Sequence, residues 1–140
     1  MTESDPIGLG NQPDDEWPDW FPPGCPPPAA VPAVGEFFRL VEGDDVVEED
    51  FISHYERSLS GGRRFWKDDV QASSCSLFQD RVDADETRRA IGSLRDKRVA
   101  RGSISGSGQM QHTPSSRAQS HHSWWRPTGD HAWESFSVTP

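Results

Sequence analysis

Arg98-Val99-Ala100-Arg101-Gly102-Ser103-Ile104-Ser105-Gly106-Ser107-Gly108-Gln109-Met110-Gln111-His112-Thr113, followed after a polar loop by His121-His122-Ser123-Trp124-Trp125-Arg126, is the stretch on which the fold turns. Val99 to Ser105 reads as a strand and Gly106-Ser107-Gly108 as a turn. Gln109 to Thr113 is then the second arm of a hairpin whose loop length leaves the register open. Residues 113–120 form a polar loop, His121 to Arg126 another strand, and Trp133 to Val138 a last short element. The second half of the chain is therefore strand-rich and locally connected.

Upstream the pattern is mixed. Gly35 to Val41 is rich in β-formers and bounded by Gly35 and the turn at Gly43-Asp44-Asp45, which predicts a strand with Phe37, Arg39 and Val41 on one face and Phe38 and Leu40 on the other. Asp45 can cap a helix, with Glu48 three residues later, and Val47, Phe51, Tyr55 and Leu59 recur every four residues as one apolar stripe. Gly61-Gly62 ends that helix and residues 60–73 read as a loop. Ala72 to Phe78 reads as a short strand leading to a helix over Asp83–Lys97, whose inner face is Ala84, Thr87, Ala90, Ile91 and Leu94. Strand, helix, strand, helix, then three or four strands predict an α+β fold: a small, mostly antiparallel sheet with two helices over one face.

The front of the chain differs. Residues 1–34 hold nine of the twelve prolines, and residues 1–38 hold seven acids with no Lys or Arg. Proline removes backbone donors and drives its predecessor out of the helical region, which predicts a disordered, acidic, proline-rich tail over 1–34 ahead of a single domain at 35–140. Trp17-Pro18-Asp19-Trp20-Phe21 stands out in that tail as a segment able to dock on the domain or on a protein partner.

Bulk properties agree with a small domain plus a tail: 140 residues, 32% hydrophobic, mean hydropathy −0.79, yet six tryptophans, which a wholly disordered chain rarely carries. A net charge of −9 opposes nucleic-acid binding, although residues 61–100, with nine basic and seven acidic side chains, allow a local basic surface. Cys25 and Cys75 read as free thiols of a reducing compartment. No apolar run approaches a membrane span and no secretory signal is visible, so the expected location is cytoplasmic with no membrane partner.

Three of the five histidines fall in the His112–His122 window. If the flanking segments are neighbouring strands, His112 meets one of His121 or His122, since adjacent strand residues point to opposite faces. Two histidines beside the hydroxyls of Thr113 and Ser123 supply an acid and a base for phosphoester or glycosidic chemistry; the plainer alternative is a solvated strand start with His112 packed by a tryptophan. Cys75, His54, His112 and His121 are the zinc-ligand types present, but no pair has the spacing of a structural zinc site. Trp124 and Trp125 can stack on a base or a nicotinamide ring or hold a proline-rich segment, and alternation places one in the core and the other on the sheet surface.

Phe37-Phe38-Arg39-Leu40-Val41, Glu49 to Ser53, Ser76-Leu77-Phe78, His112-Thr113-Pro114 and His121 to Trp125 together resemble a group of short bacterial proteins. That resemblance covers about residues 35–138 and implies a stand-alone module without naming an activity. In element order the chain also resembles ADP-ribosyltransferase-like domains. This second resemblance implies that Arg39 holds a dinucleotide and that the polar strand Ser73 to Phe78 runs into the Asp83 helix. It further implies a catalytic acid near the last strands, where Asp130 and Glu134 stand without the glutamate motif usual in the enzymes. The expectation from sequence is a nucleotide or other small ligand in a cleft lined by Arg39, His112, Thr113, His121 or His122 and a tryptophan. The alternative is a non-catalytic interaction module working through its tail. No cofactor is named, and whether the chain is an enzyme stays open.

Overall fold

The structure is a computed structural model and describes residues 16–140. It combines helices with a five-stranded antiparallel sheet, as the element order predicts. The strands are β1 (Val31–Val41), β2 (Cys75–Phe78), β3 (Arg98–His112), β4 (His121–Trp125) and β5 (Ser137–Val138). The helices are α1 (His54–Ser58), α2 (Asp69–Ala72) and α3 (Arg81–Ala90). β1 pairs with both β2 and β3, β2 with β4, and β4 with β3, so these four strands close on themselves while β5 extends β3.

Alternation along each strand sorts side chains to two sides. Phe37, Val41, Cys75, Leu77, Ile104, Met110 and Trp124 point inward, where Phe51 and Phe136 plug the core. Phe38, Leu40, Phe78 and Val99 point outward and are covered by Ala84 of α3 and by Ala118. Gly102 lies on the inward side because Phe136 lies flat on the strand there: a Cβ would come within 2.4 Å of its ring.

Five local expectations are corrected. The strand of residues 35–41 begins at Val31: the last residues assigned to the tail join the sheet, Val31 opposite Met110 and Pro32 opposite Gln109, and Ala33 is fully buried. Gly106-Ser107-Gly108 does not turn a hairpin. β3 runs straight through it, and the register against β1 shifts between Pro32 and Val34, so the Gly-Ser-Gly segment is a bulge. Gly108 has φ +77° and a Cβ there would sit 2.3 Å from the Trp125 carbonyl, so glycine is required by close approach to β4 as well as by conformation.

The expected helix over 45–59 is broken. A 3-10 turn at Glu48–Phe51 is followed by Ile52 in an extended conformation, and α1 starts afresh with the Ser53 side chain accepting from Glu56 N. Two carbonyls that a continuous helix would bond internally are taken by distant donors. The Asp50 carbonyl accepts from Arg39 Nε at 2.9 Å and Nη2 at 2.7 Å, and the Phe51 carbonyl from Cys75 Sγ at 3.1 Å and Arg126 Nη1 at 3.2 Å. Finally, the 60–73 loop contains α2, capped by the Asp68 carboxylate, and the later helix starts at Arg81 behind the Asp80 cap and ends at Ala90, with a separate 3-10 turn at Gly92–Leu94. Among the described residues no helix is long and apolar enough to cross a membrane.

Candidate functional site

The register of β2, β3 and β4 decides what the histidines can do. His112 and His122 are direct cross-strand partners on the inward side, with ring centroids 4.8 Å apart and planes 28° from parallel. His122, not His121, is therefore the residue that joins His112. His112 Nε2 lies 2.6 Å from the Gln119 carbonyl and His122 Nδ1 lies 2.8 Å from the Ser120 carbonyl. A carbonyl only accepts, so both nitrogens are donors, and the pair ties the 113–120 loop to the sheet. Burial, the dominant cause, and the neighbouring His112 push the His122 imidazole below its ordinary range against the pull of the Ser120 carbonyl.

His121 points the other way. It sits opposite Phe78, and Ser76 is its diagonal neighbour on the same side of β2, within reach of an imidazole. His121 Nε2 lies 2.9 Å from Ser76 Oγ; Nδ1 lies 3.0 Å from the Thr113 carbonyl and 2.9 Å from Thr113 Oγ1. The carbonyl fixes the tautomer of the neutral ring: Nδ1 carries the hydrogen, and the Nε2 lone pair accepts from the Ser76 hydroxyl. Burial lowers the His121 pKa, with the Thr113 hydrogen bond opposing and the two other histidines reinforcing the shift. The chain of contacts continues behind the ring, Thr113 Oγ1 to Ser123 Oγ at 2.9 Å and Ser123 Oγ to the Gln71 amide. A hydroxyl at the surface is thus backed by an oriented, neutral imidazole.

This contact opens into a cleft of about 300 Å³ between β2, α3 and the 113–120 loop. Its apolar wall is Leu40, Ile52, Phe78, Ile91, Leu94 and Ala118, and its polar groups include Arg39, His54, Ser76, Lys97, Arg117 and His121. No Asp or Glu is among the described residues that line it, in a chain whose net charge is −9. Arg39 is held by neutral carbonyls, Asp50 as above and Ser76 at 2.8 Å, and lies 5.0 Å over the Phe51 ring. Lys97 reaches Glu42 at 2.7 Å, but that carboxylate is largely in solvent, so the pair is screened. His54 is also pushed down, by burial and then by the charge of Arg39.

The other expected residues are elsewhere. Trp124 and Trp125 are both fully buried, so neither offers a ring face for stacking. Trp124 fills the core and donates to the Ser107 carbonyl, while Trp125 lies on the opposite side beneath α2 and donates to the Val70 carbonyl, both at 2.9 Å. Cys75 is buried with its thiol on the Phe51 carbonyl, and among the described residues no three His, Cys, Asp or Glu side chains are grouped as metal ligands. Both cysteines are free; burial raises each thiol pKa, that of Cys25 to about 12, so neither is an activated nucleophile. Glu134 faces His131 at 3.4 Å and does not line the cleft.

Trp17 to Phe21 dock on their own domain. Trp20 stacks on Tyr55 at 6.1 Å, and the Glu16 carbonyl accepts from Thr128 N at 2.7 Å. The segment roofs a larger cavity of about 480 Å³, where the lining cation Arg126 is already engaged by Glu48 and Asp130. That cavity is larger than the His121 cleft but lacks a comparable hydroxyl–imidazole pair.

Compared with family models, curated proteins and solved structures, the chain finds no match. Its site must be read from its own residues. Sequence reasoning put Arg39, Thr113 and His121 forward but missed Ser76, Lys97, Arg117 and the role of His54. Ser76 lies within the expected strand, which starts later than predicted, at Cys75, yet only its pairing with β4 brings it to His121.

Proposed function

We propose that the chain binds a small amphipathic anion, of nucleotide size or below, in the cleft between β2, α3 and the 113–120 loop. The observation that carries this reading is the lining itself: three cationic side chains and two histidines over an apolar wall, with no carboxylate among the lining residues of an acidic protein. Small-ligand sites commonly have this constitution, an apolar surface with a few convergent polar groups, and about 300 Å³ lies at the small end of their range. An apolar or aromatic group would lie against Phe78, Ile91 and Leu94 while a carboxylate or phosphate faces Arg39, Lys97 and Arg117. Local positive charge in an otherwise negative molecule also selects against cationic competitors.

Titration of isotope-labelled protein with AMP, with octanoate and with inorganic phosphate tests this by amide chemical shifts. Saturable shifts are expected at Ser76, Thr87, Ala118 and His121 with AMP or octanoate, weakening with salt. A Lys97→Gln/Arg117→Gln variant should bind about tenfold more weakly, the equivalent of about 1.4 kcal/mol. Absence of saturable shifts with all three probes, or shifts confined to another surface, contradicts the reading.

A further inference from the structure

We infer that Ser76 and His121 form a nucleophile–base pair that hydrolyses carboxylic esters carrying an apolar acyl group and an anionic substituent. This deepens, and rests on, the reading of the cleft as the ligand site. Three features converge. Ser76 is exposed, its Oγ lies 2.9 Å from His121 Nε2, and the Thr113 carbonyl on Nδ1 leaves that nitrogen as the acceptor. A half-buried, oriented imidazole whose pKa is held below its ordinary value is neutral at pH 7, the form a general base needs. A backbone carbonyl here does what a carboxylate does in a Ser-His-Asp triad: it fixes tautomer and ring orientation.

The bland alternative is that Ser76 merely caps a structural histidine. Two observations weigh against it. The contact lines a cleft rather than lying inside the core, and the His121 ring is already anchored by both Thr113 oxygens without Ser76. A serine held against the one ring nitrogen that is not otherwise engaged, facing an open apolar wall, is placed for chemistry.

In the forward step Ser76 Oγ attacks the ester carbonyl carbon and its proton passes to His121 Nε2. The carbon–oxygen bond to the alcohol breaks, and the departing alkoxide takes that proton. Water then attacks the acyl-serine, giving a proton to Nε2 that returns to Ser76 Oγ as the carboxylic acid leaves. Arg39, whose Nη1 is bonded to the Ser76 carbonyl at 2.8 Å, puts a positive charge on the backbone that carries the nucleophile. The acyl chain lies along Phe78, Ile91 and Leu94, and the anionic substituent faces Lys97 and Arg117.

A fluorophosphonate probe tests the pair without requiring the natural substrate, because Ser Oγ displaces fluoride at phosphorus and the proton goes to the same base. Full-length protein should be labelled once, at Ser76 by peptide mass mapping. Ser76→Ala should abolish labelling and His121→Gln should slow it about 10²-fold or more, with unchanged circular dichroism in both. The wild-type rate should be level at neutral pH and fall only below 6.5, the ordinary histidine value that His121 lies beneath. No labelling of folded wild type, labelling that survives Ser76→Ala, or a rate indifferent to His121→Gln overturns the inference. Failure here with AMP or octanoate still bound removes the hydrolytic pair alone, whereas labelling without anion binding removes the ligand reading and the anionic substituent with it, and leaves only the Ser76–His121 pair.

Discussion

Trp124→Ala is expected to lower the unfolding free energy by about 3–5 kcal/mol, the usual cost of truncating a large buried aromatic. Trp124 is fully buried, meets Phe51 edge-on with centroids 6.0 Å apart, and donates its indole N–H to the Ser107 carbonyl at 2.9 Å. Truncation leaves a cavity in the middle of the closed strands and an orphaned carbonyl in the bulge of β3. Against the roughly 5–15 kcal/mol available to a domain, that loss is a large share. Urea unfolding followed by circular dichroism should show a strongly reduced midpoint. A change below about 1 kcal/mol would mean that Trp124 is not the centre of the core.

Asp130→Ala is expected to cost a similar amount, about 3–5 kcal/mol, for a different reason. The Asp130 side chain is fully excluded from solvent; it pairs with Arg126 Nε at 3.0 Å, accepts from Ala132 N at 2.9 Å and accepts from the Ser107 hydroxyl. Removing it leaves the largely buried Arg126 guanidinium with Glu48 and the Phe51 carbonyl as its hydrogen-bond partners among the described residues. The diagnostic is the double variant Arg126→Met/Asp130→Leu. Because an apolar pair avoids the desolvation of both charges, it should recover much of what Asp130→Ala loses. If the double variant is as unstable as the two single variants summed, Arg126 and Asp130 act independently and the account of this pair is wrong.

How much of this was legible beforehand depends on the range of the interaction. Local signals sufficed for the presence of β2, β4 and α3 and for the α+β class, though not for the bounds of β2 and α3. Strand alternation was enough to state that His121 and His122 face opposite sides, as they do. The missed features are those set from a distance. Nothing near Asp50 and Phe51 announces that Arg39, Cys75 and Arg126 will take their carbonyls, so an uninterrupted apolar stripe looked like one helix. Gly106-Ser107-Gly108 suits a hairpin and a bulge equally. Only the approach of the Trp125 carbonyl to Gly108 decides between them.

The same limit explains the site. The sequence places one tryptophan at the surface because the segment that covers Trp125 has the pattern of a loop, whereas α2 lies there and receives its indole hydrogen bond. Ser76 was invisible as a partner for His121 because the two are 45 residues apart and meet only through the register of β2 on β4. The cationic lining was equally hidden: Arg39, Lys97 and Arg117 belong to three separate segments, in a chain whose overall charge points the other way.

The chemistry of the cleft depends on His121 standing neutral, with its Nε2 lone pair directed at the Ser76 hydroxyl. Nitrogen chemical shifts of the His121 ring, followed through a pH titration, test this most directly. The Nδ1–H tautomer at neutral pH and a titration midpoint below 6.5 are expected, because burial opposes the charged form. An Nε2–H tautomer, or a midpoint above 6.5, would contradict it.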